Sequence, residues 1–137
     1  MEFYSLHLFS GIGGGILADV ALGVRPVGAV EIDSFCRSVL LSRQANGCLP
    51  GFPIWDDVRS FRCENPSTFP FIDRLCSIRE NLIISGGFPC QDISIAGSRK
   101  GLNGEKSGLW WEFARIVREI RPGFSFPPVP ATIDFFS

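Results

Sequence analysis

Apolar runs of strand length alternate along this chain with glycine-rich turns and stretches of helical spacing. "FYSLHLF" (Phe3 to Phe9) is short, aromatic-rich and bounded by glycine, which reads as a strand. "SGIGGG" follows, a turn that glycine tolerates best. Ile16, Val20 and Gly23 then recur at helical spacing, with Leu17 and Ala21 beside them, and the helix ends near Gly23. "RPVGAVEID" gives a second strand closing on Glu31, and Ser34 can cap a helix running to about Ala45. "IWDDV" is a short strand end, and residues 59–80 read as irregular or weakly helical. "NLIIS" is apolar throughout, as in a strand buried on both faces. After a long polar loop, Leu109, Phe113, Ile116, Val117 and Ile120 line one face of a helix that Pro122 ends. Arg115, Arg118 and Glu119 form its polar face. This alternation predicts an α/β fold with a mostly parallel sheet.

Ligands of such sheets bind beyond the carboxyl ends of the strands. Three features fall there: the turn from Gly11 to Gly15, Glu31, and the pair Pro89-Cys90. A glycine turn before a helix lets a ligand approach the backbone closely. A carboxylate closing the next strand can accept hydrogen bonds from both hydroxyls of a ribose. The dinucleotide fingerprint wants a third glycine where Ile16 stands. A nicotinamide dinucleotide is therefore the less favoured ligand, and S-adenosylmethionine, with a ribose but no pyrophosphate, is the better one.

The 137 residues suffice for one domain. The formal charge of −1 excludes a generally basic, nucleic-acid-coating protein. Charge is nevertheless uneven. Between residues 99 and 121, Arg99, Lys100, Lys106, Arg115, Arg118 and Arg121 outnumber Glu105, Glu112 and Glu119, weak support for a phosphate-bearing partner. The five cysteines form no C-x-x-C pair and the single histidine is His7, so a zinc site is not expected. The acidic N-terminus does not read as a signal peptide, and no apolar run approaches a membrane span. Reduced cytoplasm is the expected setting.

Cys36, Cys48, Cys63 and Cys76 read as small buried hydrophobic residues. Cys90 differs. Pro89 sets the direction in which the chain leaves its strand, and Gly86 and Gly87 keep neighbouring space clear. A thiolate presented there can attack an electrophilic carbon.

"FSGIGGG", "EID", "WDDV", "SGGFPCQDIS" and "GEKSGLWWEFARIVREIRP" stand in the order and spacing of DNA cytosine-5 methyltransferases. The chain resembles the N-terminal part of that family from residue 4 to about residue 122. The resemblance implies a partial S-adenosylmethionine-dependent methyltransferase fold of Rossmann-like type, truncated on its C-terminal side, with residues 1–137 as the N-terminal part of the catalytic domain. It implies cofactor contacts from Phe9, Gly11, Gly13, Gly14, Glu31, Ile32, Asp57, Val58, Pro89 and Leu109. Glu31 would hold the ribose, Ile32 would pack on adenine, and Asp57 with Val58 would read the adenine edge. Cys90 would be the nucleophile, acting on a cytosine flipped out of double-stranded DNA. Gln91, Ser94, Arg99, Lys100 and Lys106 would be the candidates for DNA contact.

The resemblance also breaks. Where the family carries a Glu-Asn pair after the helix, this chain has Pro127 and Pro128, and no acid occurs between Glu119 and Asp134. Two prolines fit poorly in a central strand. The family's target-recognition region and later motifs are not found in these 137 residues. The expectation is a chain weak or inactive alone, in a bacterial or phage-infected cell. The alternative is a non-catalytic remnant, or one half of a split methyltransferase needing a complementary C-terminal chain. A nicotinamide-dependent oxidoreductase is a distant third, because it leaves the proline-cysteine pair without a role.

Overall fold

The structure, a computed structural model, describes residues 1–88 and 107–130. Five strands form one sheet in the order β3-β2-β1-β4-β5. They are β1 (Tyr4–Leu8), β2 (Arg25–Val30), β3 (Ile54–Trp55), β4 (Leu82–Gly86) and β5 (Phe124–Phe126). Every neighbouring pair is parallel. The helices are α1 (Gly14–Ala21), α2 (Ser34–Ala45), α3 (Phe69–Ser77) and α4 (Ser107–Ile120), with 3-10 turns at Val58–Ser60 and Arg79–Asn81. The chain steps outward from β1 to β3, crosses back to β4, and continues to β5. The strand order therefore reverses between β1 and β4, where the connections diverge and leave a crevice at the carboxyl ends.

Alternation along β1 sorts the two faces. Leu6 and Leu8 point into the larger core, with Val30, Leu82, Ile84, Ile72 and Leu75 of α3, and Phe113, Ile116 and Ile120 of α4. On the other face Ile16, Ala29, Leu40, Leu49 and Phe52 form a smaller core under α1 and α2. Ser5 is the register partner of Ile83, which in turn partners Phe124, so these three share that second face. There the described residues leave the β4–β5 side open: Phe124 is 53% exposed and Phe126 71%.

Five local readings change. Cys48 is exposed and Cys36, Cys63 and Cys76 are only partly buried, so none of the four is a fully buried packing residue. Asp33, not Ser34, caps α2, its side chain accepting from the Cys36 amide at 3.0 Å. That bond holds the Asp33 carboxyl below the usual carboxylate range. Residues 59–80 contain a proper helix, α3, two and a half turns long, whose Ile72 and Leu75 are buried. Its short apolar stripe, Pro66 just before it and Pro70 in its first turn hid it. Of the apolar positions read for α1, Ile16 is buried, whereas Leu17 and Val20 are exposed. The prolines do not break a strand: β5 ends at Phe126, one residue before Pro127. Among the described residues no helix is long and apolar enough to cross a membrane.

Candidate functional site

Phe9 leaves β1 with φ +56°, a left-handed conformation that costs a non-glycine residue about 1–2 kcal/mol. Its amide still donates to Val30 O at 2.9 Å, which ties the turn to the end of β2. Its ring lies 4.9 Å from that of Phe88, which is 5.4 Å from Phe113 of α4. This aromatic column runs from the end of β1 past the end of β4 to α4 and requires small residues beside it. A Cβ on Gly86 would lie 2.8 Å from the Phe113 ring, and one on Gly87 would lie 3.0 Å from Phe9 O. The two glycines therefore make room for the column at the point where the chain heads toward Pro89 and Cys90.

The glycine turn is held from below. Gly13 takes φ +93°, and a Cβ there would lie 2.7 Å from Leu40 Cδ2. Gly11, at φ +58°, donates its N–H to Glu31 Oε1 at 2.6 Å. Glu31 Oε2 accepts from the Asp33 amide at 2.9 Å. Glu31 is buried, so both carboxylate oxygens are oriented by backbone donors. Each oxygen keeps a further acceptor position. Two such acceptors on one rigid carboxylate fit a vicinal diol. Beside the turn, His7 Nε2 lies 2.5 Å from Asp19 Oδ2, joining β1 to α1.

A cavity of about 150 Å³ opens at this edge. Phe9, Ile32, Asp57, Val58 and Leu109 line it, together with Val30, Asp56 and Arg59. Its walls are mainly apolar, with two carboxylates beside them, a setting that suits a flat heterocycle bearing an amino group. Asp57 accepts from the Arg59 amide at 2.9 Å and caps the 3-10 turn, whereas Asp56 accepts from the Asp57 amide at 2.7 Å. Trp55 steadies the same segment: its Nε1 donates to Ser60 Oγ at 2.9 Å. A larger cleft, about 440 Å³, lies among Tyr4, Arg25, Phe71 and Arg74 at the amino ends of the strands. None of the site residues reaches it.

Thus Phe9, Ile32, Asp57, Val58 and Leu109 meet around one cavity, and Gly11, Gly13 and Glu31 are bound together on the same edge. Gly14 opens α1 and is exposed. Pro89, Cys90, Gln91, Ser94, Arg99, Lys100 and Lys106 lie outside the described residues. Sequence reasoning passed over Phe88, Asp56 and Arg59. The phenylalanine of "FPC" and the doubled acid of "WDDV" were the available signals. Arg115 must also leave the basic surface patch. Its side chain is 15% exposed and pairs with Glu112 and Glu119, so it offers no free charge to a phosphate.

A family model for C-5 cytosine-specific DNA methylases matches residues 3–126. The type II methyltransferase M.CviJI of Paramecium bursaria Chlorella virus IL3A is 33% identical over 131 residues, 92% of this chain and 30% of that relative. M2.BsuMI of Bacillus subtilis (strain 168) is 36% identical over 119 residues, 83% of this chain and 24% of the relative. Among solved structures, a prophage-encoded E. coli protein assigned as a DNA modification methyltransferase superposes with a TM-score of 0.63 at 26% identity. That match covers 88% of this chain and 30% of the other. The chain thus spans between 24% and 30% of the length of these three proteins.

Proposed function

The chain belongs to the C-5 cytosine-specific DNA methylase family, and on that premise we propose that it forms the cofactor- and nucleophile-bearing part of a methyltransferase acting on carbon 5 of cytosine in duplex DNA. One observation carries this reading most: five residues from four separate segments, Phe9, Ile32, Asp57 with Val58, and Leu109, line one cavity beside the Glu31 carboxylate. In this reading Glu31 binds the two ribose hydroxyls of S-adenosylmethionine. Phe9, Ile32 and Leu109 enclose the adenine, and Asp57 accepts from its amino group. The cofactor, when bound, supplies an electrophilic methyl group.

Cys90 does the covalent work. Its thiolate adds to carbon 6 of a flipped-out cytosine, and the ring's electron pair moves to carbon 5, which then takes the methyl group. Loss of the carbon 5 proton to a base re-forms the double bond and expels the thiolate. Gln91, Ser94, Arg99, Lys100 and Lys106 lie in the stretch after Cys90 and are our candidates for holding the DNA. The setting is the cytoplasm of a bacterial or phage-infected cell, and the role is modification within a restriction system.

The 137 residues acting alone are expected to be weak or inactive. Pro127 and Pro128 stand where the family's ring-binding glutamate would be, and neither can accept a proton or donate a hydrogen bond from its side chain. Parallel sheets in α/β proteins are covered on both faces, and among the described residues the face that bears Phe124 and Phe126 is left exposed. This favours a complementary chain that supplies the missing groups and covers that face. A non-catalytic remnant is the second reading, favoured by the same two prolines.

Trapping separates them. With 5-fluorocytosine in duplex DNA, carbon 5 carries no proton to lose, so a competent assembly stays covalently joined to the DNA. An adduct that Cys90→Ser abolishes supports the catalytic reading. Its absence in the chain's native assembly, saturated with S-adenosylmethionine, leaves the remnant. Rapid transfer of labelled methyl to duplex DNA by the purified chain alone would sink the need for a partner. The chain alone is also expected to bind S-adenosylmethionine weakly, and calorimetry showing tight binding would contradict that.

A further inference from the structure

We propose that Arg115 is a positioning residue for the adenine wall of the cofactor pocket, acting from α4 through the backbone carbonyls of Val58 and Phe61. This rests on the S-adenosylmethionine reading above. Arg115 Nη2 donates to Val58 O at 2.9 Å and Nη1 donates to Phe61 O at 3.1 Å. These bonds join residues 57 and 54 positions apart in the chain. Both carbonyls sit on the 3-10 turn Val58–Ser60 and the residue that ends it. Asp57, the cap of that turn, and Val58, its first residue, line the cavity.

A single 3-10 turn has few internal bonds and little stability of its own. This one is held by Ser60 N to Asp57 O at 3.1 Å and Phe61 N to Val58 O at 3.2 Å. The guanidinium fork adds two charge-assisted bonds from outside. It is itself held in place. Nε donates to Glu112 Oε2 at 2.8 Å, and Glu119 Oε2 lies 3.1 Å from Nη1 in ion-pair contact, without hydrogen-bond alignment. The two carboxylates neutralise a cation that would otherwise be poorly solvated at this depth.

The consequence is geometric. Leu109, on the same helix, lines the cavity six residues before Arg115, about 9 Å along the axis at 1.5 Å per residue. One helix therefore supplies one wall through Leu109 and sets the position of the wall at Asp57 and Val58 through Arg115. The distance between the two walls becomes a property of α4. A ring that fits the gap is bound, and the carboxylate at its edge reads the amino group.

The test compares the full chain with Arg115→Met, which keeps the stem but loses the fork, and with Arg115→Lys, whose single ammonium cannot span both carbonyls. Amide exchange at Ser60 and Phe61 is expected to quicken at least about tenfold in Arg115→Met, as loss of bonds to a charged group implies. Amides of β1 and β4 should keep their rates. Affinity for S-adenosylhomocysteine, followed by titration, should fall about 10- to 100-fold on the same basis. Preference for it over its 6-oxo counterpart, which carries hypoxanthine, should shrink, and Arg115→Lys should recover only part of both. Unchanged affinity and preference in Arg115→Met overturn the proposal alone. Exchange that quickens equally across β1 and β4 also overturns it, since that marks a general stabilising role. No binding of S-adenosylhomocysteine even by the wild-type chain in its native assembly overturns the cofactor reading, and the proposal with it.

Discussion

Replacing Glu31 with glutamine is expected to damage fold and cofactor binding together. The buried carboxylate accepts from Gly11 N at 2.6 Å and from Asp33 N at 2.9 Å. A glutamine has one acceptor oxygen, so its amino group must face one of the two backbone donors. Hydrogen bonds to a charged group are worth about 1.5–3 kcal/mol, and a buried donor left without a partner adds to the loss. The midpoint of urea unfolding should fall accordingly. The same change removes one acceptor for a ribose diol, so affinity for S-adenosylmethionine should drop about tenfold or more. Glu31→Asp keeps the charge but is one methylene too short to span both donors, and is expected to fall between. A glutamine variant with wild-type stability and wild-type affinity would contradict the role drawn for this carboxylate.

Phe113→Ala is expected to cost the most stability of any single side chain considered. Phe113 is fully buried, packs in the larger core, and meets Phe88 edge to face at 5.4 Å. Removing a buried phenylalanine costs about 3–5 kcal/mol, transfer and cavity terms together. A domain of this size is stable by only about 5–15 kcal/mol. Much of the margin would be gone, and the urea midpoint should fall steeply or the chain should fail to fold. The effect reaches the site as well, because the ring supports Phe88 and through it Phe9. Phe126→Ala is the control. That ring is largely exposed, so stability should change by no more than about 0.5 kcal/mol. Equal losses at Phe113 and Phe126 would refute this account of the core.

Much of the site was legible because its signals are local. The left-handed turn at Gly11 and Gly13 needs glycine wherever the chain goes next. Glu31 stands out because an acid ends an apolar strand, and the sheet order then places it beside the turn. Arg115 was misread for the opposite reason. At helical spacing it looks like one more solvated cation, and nothing near it in sequence announces that its partners are Val58 O and Phe61 O. The cap of α2 was missed by one residue, since Asp33 and Ser34 are both good caps and only backbone geometry separates them. Phe88 was passed over because its role rests on ring contacts with Phe9 and Phe113, far from it in the chain.

Taken by itself, the sequence determined β1 to β4, α1, α2 and α4, the parallel α/β class, the glycine turn and Glu31 at the strand ends, and the family, but not α3 or β5. Periodicity, turn residues and motif spacing act over a few positions, and they survive in one dimension. Tertiary structure alone decided which face each strand buries, that a cavity forms among Phe9, Ile32, Asp57, Val58 and Leu109, that Arg115 faces inward, and that among the described residues Phe124 and Phe126 stay exposed. Those outcomes depend on contacts between residues far apart in the chain, whose pairing is set by the packing of α4 and the reversal of strand order between β1 and β4.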